Sequence, residues 1–92
     1  MPNVTVRMYT TLREVTGVKE ITVEAKTVRE AINKLLEKYG GELRKALLDE
    51  KGNIKRIYTL LLDGRNIILL QGLDTPVKDG STLHIFPPVG GG

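Results

Sequence analysis

Thr27-Val28-Arg29-Glu30 opens the one long amphipathic segment of this chain, and the rest must be arranged to cover it. A threonine followed three residues later by a glutamate is a capping box, in which hydroxyl and carboxylate satisfy two orphan amides. From there Val28, Ala31, Ile32, Leu35 and Tyr39 recur with the 3.6-residue period of a single apolar stripe, and Gly40 can end the helix. A one-stripe helix cannot bury itself, so the flanking segments have to supply a second layer.

Those flanks read as strands. Val4, Val6 and Met8 alternate with Thr5, Arg7 and Tyr9, the period-2 pattern of a half-buried strand. Thr10 to Gly17 reads as a connector carrying Leu12-Arg13-Glu14, and Lys19 to Glu24 alternates again, so the first quarter predicts a hairpin. Beyond the helix, Glu42 to Asp49 predicts a short second helix on Leu43, Ala46 and Leu47, broken at Lys51-Gly52-Asn53. Ile54 to Leu62 is rich in β-formers. Asp63-Gly64 after it is a two-residue hairpin signal, with Asn66 to Leu70 as the returning strand. Gln71 to Gly80 is turn-rich, and Thr82 to Phe86 is the last strand.

Two hairpins around one amphipathic helix bury best as a mixed sheet with the helix packed across one face. The last strand should lie parallel beside the first, because the intervening helix provides the crossover. The expected fold class is α+β: a β-grasp, the ubiquitin-like architecture, with one main helix and a short second one. Residues 1–86 form the domain and residues 87–92 an extended tail.

Composition narrows the chemistry. In 92 residues there is no cysteine, which excludes thiolate metal sites, disulfide staples and a cysteine nucleophile. The net charge of +3 comes from 14 basic and 11 acidic residues mixed along the chain, and there are only four aromatics, Tyr and Phe. A nucleic-acid surface would want clustered basics with interleaved aromatics, so no nucleic-acid partner is expected. No apolar run is long enough to span a bilayer, so no membrane is expected either, and a cytoplasmic location is the reading.

Catalytic groups within the domain are sparse. The lone His84 has no second histidine and no acid pair near it in sequence, and reads as structural or surface. Asp74 and Asp79 sit in turn contexts. No phosphate loop is present, since neither Asp63-Gly64-Arg65 nor Gly40-Gly41 leads into a lysine–serine pair.

The ending is different. In Phe86-Pro87-Pro88-Val89-Gly90-Gly91-Gly92 an apolar strand runs into two prolines that cannot continue a ladder, then into residues without side chains. Fully extended, Pro87 to Gly92 reaches roughly 20 Å at ~3.3–3.6 Å per residue. That is a carboxylate on a thin tether, narrow enough to enter another protein's active site. By elimination the Gly92 carboxylate is the candidate reactive group.

This ending, preceded by Leu73-Asp74-Thr75-Pro76-Val77-Lys78-Asp79-Gly80, resembles the MoaD/ThiS sulfur carriers, above all the small subunit of molybdopterin synthase. Val6-Arg7-Met8-Tyr9 with Leu12-Arg13-Glu14 also looks like that subunit's first strand and loop. Departures are Gly90 where alanine, serine or threonine is commoner, Asp63-Gly64 for Asn-Gly, and Ser81 where an acid often stands. The resemblance implies no bound cofactor and no catalysis by the chain itself. An adenylating enzyme of the ubiquitin-activating type would use ATP and Mg²⁺ to make an acyl-adenylate at Gly92. A persulfide donor would leave a thiocarboxylate there, and the tail would enter the large subunit of molybdopterin synthase to build the dithiolene. Gly91 and Gly92 would be the working residues. Phe86, Pro87, Pro88, Val89 and Gly90 would bind partners together with Tyr9, and Arg13 would meet an acidic partner residue. The alternative is a ubiquitin-like modifier joined to lysines through Gly92, or a sulfur carrier for tRNA thiolation.

Overall fold

A computed structural model of the chain describes residues 1–88. In chain order the elements are β1 (Asn3–Met8), α1 (Thr10–Thr16), β2 (Glu20–Glu24), α2 (Val28–Tyr39), α3 (Gly41–Leu47), β3 (Thr59–Leu62), β4 (Arg65–Asn66) and β5 (Thr82–Phe86), with 3₁₀ turns at Ile67–Leu69 and Gly72–Asp74. The strands form one mixed sheet in the order β2-β1-β5-β3-β4. β1 runs antiparallel to β2 and parallel to β5, with Val6 opposite Leu83 and Met8 opposite Ile85. The β-grasp expected from the sequence is the fold observed.

Alternation puts Val4, Val6, Met8, Leu60, Leu62, Leu83 and Ile85 on the buried face. The α2 stripe of Val28, Ala31, Ile32 and Leu35 is buried with them, joined by Leu36, while Tyr39 is only partly covered. At the helix start the Glu30 amide donates to Thr27 Oγ1 at 3.2 Å, which is one half of the capping box. Thr27 also bridges Pro76: Val28 N–H donates to Thr75 O and Val77 N–H to Lys26 O, both at 3.0 Å, tying the turn-rich segment to the helix entrance.

Three local expectations give way. Most of the Thr10–Gly17 stretch read as a connector is a helix, Thr10–Thr16. Its threonines and valine are poor helix formers, so packing carries it: Leu12 is buried in the core, and Gly17 closes the last turn at φ +78° with its N–H on Arg13 O. The strand read over Ile54–Leu62 begins only at Thr59. The residues before it satisfy the last carbonyls of α3 instead. Lys55 Nζ donates to Lys45 O, Tyr58 Oη to Ala46 O and Lys55 N–H to Leu47 O, each at 2.9 Å. The returning strand read over Asn66–Leu70 stops after two residues, because Asn66 Oδ1 accepts from Ile68 N–H and starts a 3₁₀ turn. The hairpin turn between them is as read, with Asp63 at φ +49° and Gly64 at φ +86°.

Candidate functional site

The helices cover one face of the sheet and leave the other open. On that open face His84 and Phe86 stand two residues apart on β5 and therefore side by side. The parallel register pairs Arg7 with His84 and Met8 with Ile85, so the next residue of the first strand, Tyr9, comes level with Phe86. Tyr9 is the residue before α1, still extended at φ −135°, which keeps its ring on the open face.

The three rings form one stack. Tyr9 and Phe86 have centroids 4.7 Å apart at 13°, and His84 and Phe86 lie 5.4 Å apart at 10°. Tyr9 Oη and His84 Nδ1 share a hydrogen bond of 2.8 Å. The Arg13 guanidinium, on α1, sits 5.8 Å from the Tyr9 ring centroid, within cation–π range. Its Nη2 makes only a long 3.4 Å bond to Met8 O, and its buried Nε has no partner among the described residues. Arg13 is thus placed with donor capacity left over. Nearby, Arg7 lies 3.7 Å from Glu20 across the β1–β2 ladder.

Beside the stack lies an open groove of about 530 Å³ lined by Tyr9, Thr59, Phe86, Pro87 and Pro88. Thr59 faces Phe86 across the β3–β5 ladder and leaves that side low. The chain leaves the sheet along this groove, with both prolines outside regular structure. Of the residues expected at the site, Tyr9, Phe86, Pro87 and Pro88 are therefore brought together, with Arg13 over Tyr9. Val89, Gly90, Gly91 and Gly92 lie outside the described residues. His84, read from the sequence as structural or surface, is part of the stack. Its two-residue spacing from Phe86 on a half-buried strand was the signal that could have found it.

This arrangement presents a stacked aromatic surface on the open face of the sheet. Among the described residues no group of three or more His, Asp and Glu side chains could hold a metal ion. The one histidine has its Nδ1 engaged by a phenol. A surface of stacked rings with a cation at its rim is suited to docking, since aromatic and arginine side chains dominate binding energy at protein interfaces.

Comparison with known proteins agrees with the fold. The sequence model of the ThiS family matches residues 6–92. The chain belongs to the ThiS family. It is 34% identical over 89 residues to small archaeal modifier protein 3 of Haloferax volcanii, covering 94% of this chain and 95% of that protein. It is 31% identical over 93 residues to the sulfur carrier protein CysO of Mycobacterium tuberculosis, covering 98% and 99%. The solution structure of small archaeal modifier protein 1 from Methanosarcina acetivorans superposes with a TM-score of 0.85 at 33% identity, covering 100% of this chain and 98% of that one. The chain is thus a ubiquitin-like β-grasp protein of the ThiS sulfur-carrier family. No helix among its described residues is long and apolar enough to cross a membrane.

Proposed function

We propose that this protein carries sulfur as a thiocarboxylate on Gly92. The observation that supports the reading most is the exit of the chain: Phe86-Pro87-Pro88 leaves the sheet beside the Tyr9–His84–Phe86 stack and leads into Val89-Gly90-Gly91-Gly92. A ubiquitin-activating-type adenylyltransferase docks on the aromatic face and takes the tail into its ATP site. The Gly92 carboxylate attacks the α-phosphorus of ATP, held with Mg²⁺ by that enzyme, and pyrophosphate leaves. A persulfide then displaces AMP from the acyl-adenylate, forming an acyl disulfide. A thiol cleaves its S–S bond, becoming a disulfide with the donor's sulfur and leaving the thiocarboxylate on Gly92. A carboxylate is unreactive at neutral pH without such activation, and the partner's task is to align it with ATP. Arg13, with donors unsatisfied, meets a carboxylate of the partner.

The destination of the sulfur is the finer part of the proposal. The Phe-Pro-Pro-Val ending favours the large subunit of molybdopterin synthase as acceptor, with delivery to a pyranopterin precursor. The likeness to the archaeal modifier proteins favours a second reading, in which the activated Gly92 is joined to lysines of other proteins. Both use the same tail and the same activation.

Incubation with ATP, Mg²⁺, a cognate adenylating enzyme and a sulfur donor, followed by intact-mass spectrometry, tests the shared step. The expected product is heavier by the replacement of one oxygen by sulfur. An unchanged mass counts against both readings, and so does sulfur uptake by a chain lacking Gly92. Denaturing gels of cells carrying a tagged copy separate the two: lysine-linked conjugates favour the modifier, and cofactor deficiency without conjugates favours the carrier.

A further inference from the structure

The row of the open face behind the Tyr9–Phe86 contact is ionic. Register sets Arg7 of β1 between Glu20 of β2 and His84 of β5, with Leu61 of β3 opposite His84. Two residues further along β1 and β5 come Tyr9 and Phe86, with Thr59 opposite Phe86. Residues two apart on one face of a strand are separated by about 7 Å, so the two rows are adjacent.

Arg7 is incompletely held in its row. Its Nε is shut off from solvent and has no hydrogen-bond acceptor among the described residues. Glu20 Oε1 lies 3.7 Å from that nitrogen, within range of charge attraction and too far for a hydrogen bond. The two side chains are 40% and 53% exposed, and a pair so wet contributes little. Arg13, over the Tyr9 ring, shares the feature of a buried Nε without an acceptor.

A partner docked on Phe86 does not leave Arg7 in water. A stable interface takes about 800 Å² from each side, a patch roughly 30 Å across, and Arg7 stands one row from the stack. Docking therefore desolvates the guanidinium, and a desolvated charge is costly unless it is paired and hydrogen-bonded.

We propose that Arg7 is a second ionic anchor of the docking surface. In the complex it leaves Glu20 and donates to a carboxylate of the adenylating enzyme, and in the free protein Glu20 competes for it. The proposal rests on the docking reading given above and adds to it one anchor and one competitor. Arg7 and Arg13 each offer a planar fork of donors, which fits a carboxylate better than a lysine would. The matching partner face has two carboxylates beside an apolar centre that receives the rings.

Calorimetric titration of the cognate adenylating enzyme with the full chain, without ATP, tests this as a double-mutant cycle. Arg7→Gln should weaken the complex roughly tenfold, the scale of a lost hydrogen bond to a charged group. Glu20→Gln should tighten it roughly threefold, because the competitor is gone. In the Arg7→Gln background, Glu20→Gln should change nothing. Added salt should weaken the wild-type complex more than the Arg7→Gln complex. Both positions are on the open face, and a dispersed amide spectrum checks that each variant is folded.

The proposal is overturned if Arg7→Gln binds as tightly as wild type. It is equally overturned if Glu20→Gln weakens the complex, since Glu20 would then be the mate that Arg7 keeps on docking. Tightening by Glu20→Gln that persists in the Arg7→Gln background would reveal a general charge effect and sink it too. Any of these results with sulfur uptake by the wild-type chain intact leaves the carrier reading standing. A wild-type chain that neither binds the enzyme nor gains sulfur removes both.

Discussion

Tyr9 Oη meets His84 Nδ1 at 2.8 Å across 75 positions of sequence. The parallel pairing of β1 with β5 makes this contact possible, and the bond fixes the Tyr9 ring in the plane that Phe86 stacks upon. Tyr9→Phe keeps the stack and removes the bond. A single part-buried hydrogen bond contributes about 0.5–1.5 kcal/mol, so urea unfolding should show a loss in that range. A loss well above it would mean that the hydroxyl holds more than His84.

Phe86 is the centre of the stack, in contact range of both other rings. Phe86→Ala should leave the fold intact, because the ring is only half-buried on the open face. Central aromatic residues of interfaces contribute about 2 kcal/mol or more, which is roughly 30-fold in affinity. The Michaelis constant of an adenylating enzyme for the carrier should rise by that order while its maximal rate is retained. A fall in maximal rate with an unchanged Michaelis constant would place Phe86 in the chemistry instead of in docking.

Leu83 lies fully buried at the centre of the sheet, opposite Val6. Leu83→Ala leaves a cavity between sheet and α2, and such truncations cost about 2–5 kcal/mol. Urea denaturation measures it. Survival of near-wild-type stability would show that α2 can settle into the space.

Asp63 serves the β3–β4 turn twice. It holds a left-handed backbone at φ +49°, and its Oδ1 accepts from Thr82 N–H at 2.9 Å. Asp63→Ala removes the acceptor and meets more strain in that conformation, together about 1–3 kcal/mol. Asp63→Asn retains both properties and should stay within ~0.5 kcal/mol of wild type in the same urea measurement. Equal losses in the two variants would rule out this account of the turn.

Burial raises the Tyr58 phenol above its ordinary value of 10.0, by desolvation, while its hydroxyl donates to Ala46 O. Below pH 10 the phenol is protonated in both states and its contribution is complete. As pH rises past that point the unfolded phenol ionises first. The folded state then binds more protons, and stability falls until the folded phenol ionises too. At neutral pH Tyr58→Phe should be the less stable protein by about 1 kcal/mol for the lost bond. The gap should narrow as pH rises above 10, read by denaturant midpoints at each pH.

The sheet and main helix were legible because period-2 and period-3.6 patterns report burial directly, as in Val4–Met8 and Val28–Leu35. The parallel β1–β5 pairing followed from chain order and the crossover rule. What periodicity could not show was packing that overrides local preference. Leu12, with Val15 packed against the same core, draws the threonine-rich Thr10–Thr16 into a helix, and nothing in its neighbours' propensities signals that. Nor does β-propensity reveal that Lys55 and Tyr58 are committed to the carbonyls of α3, which delays the start of β3. At the site, Tyr9, Phe86, Pro87 and Pro88 were readable from the ending and the first strand. For His84 the sequence shows only that it shares a strand face with Phe86; its bond to Tyr9 is set by the β1–β5 register.

Parallel pairing has one further result for anyone handling this protein. β1 and β5 point the same way, so the chain enters the sheet at Asn3 at one end and leaves it at Phe86 at the other. The strands separate the two by about 15–20 Å at ~3.3 Å per residue. A fluorophore, resin linkage or purification tag joined ahead of Met1 would therefore sit at the far pole from Pro87 and Pro88. Immobilised that way, the molecule keeps its aromatic face and its exit turned toward whatever is offered in solution.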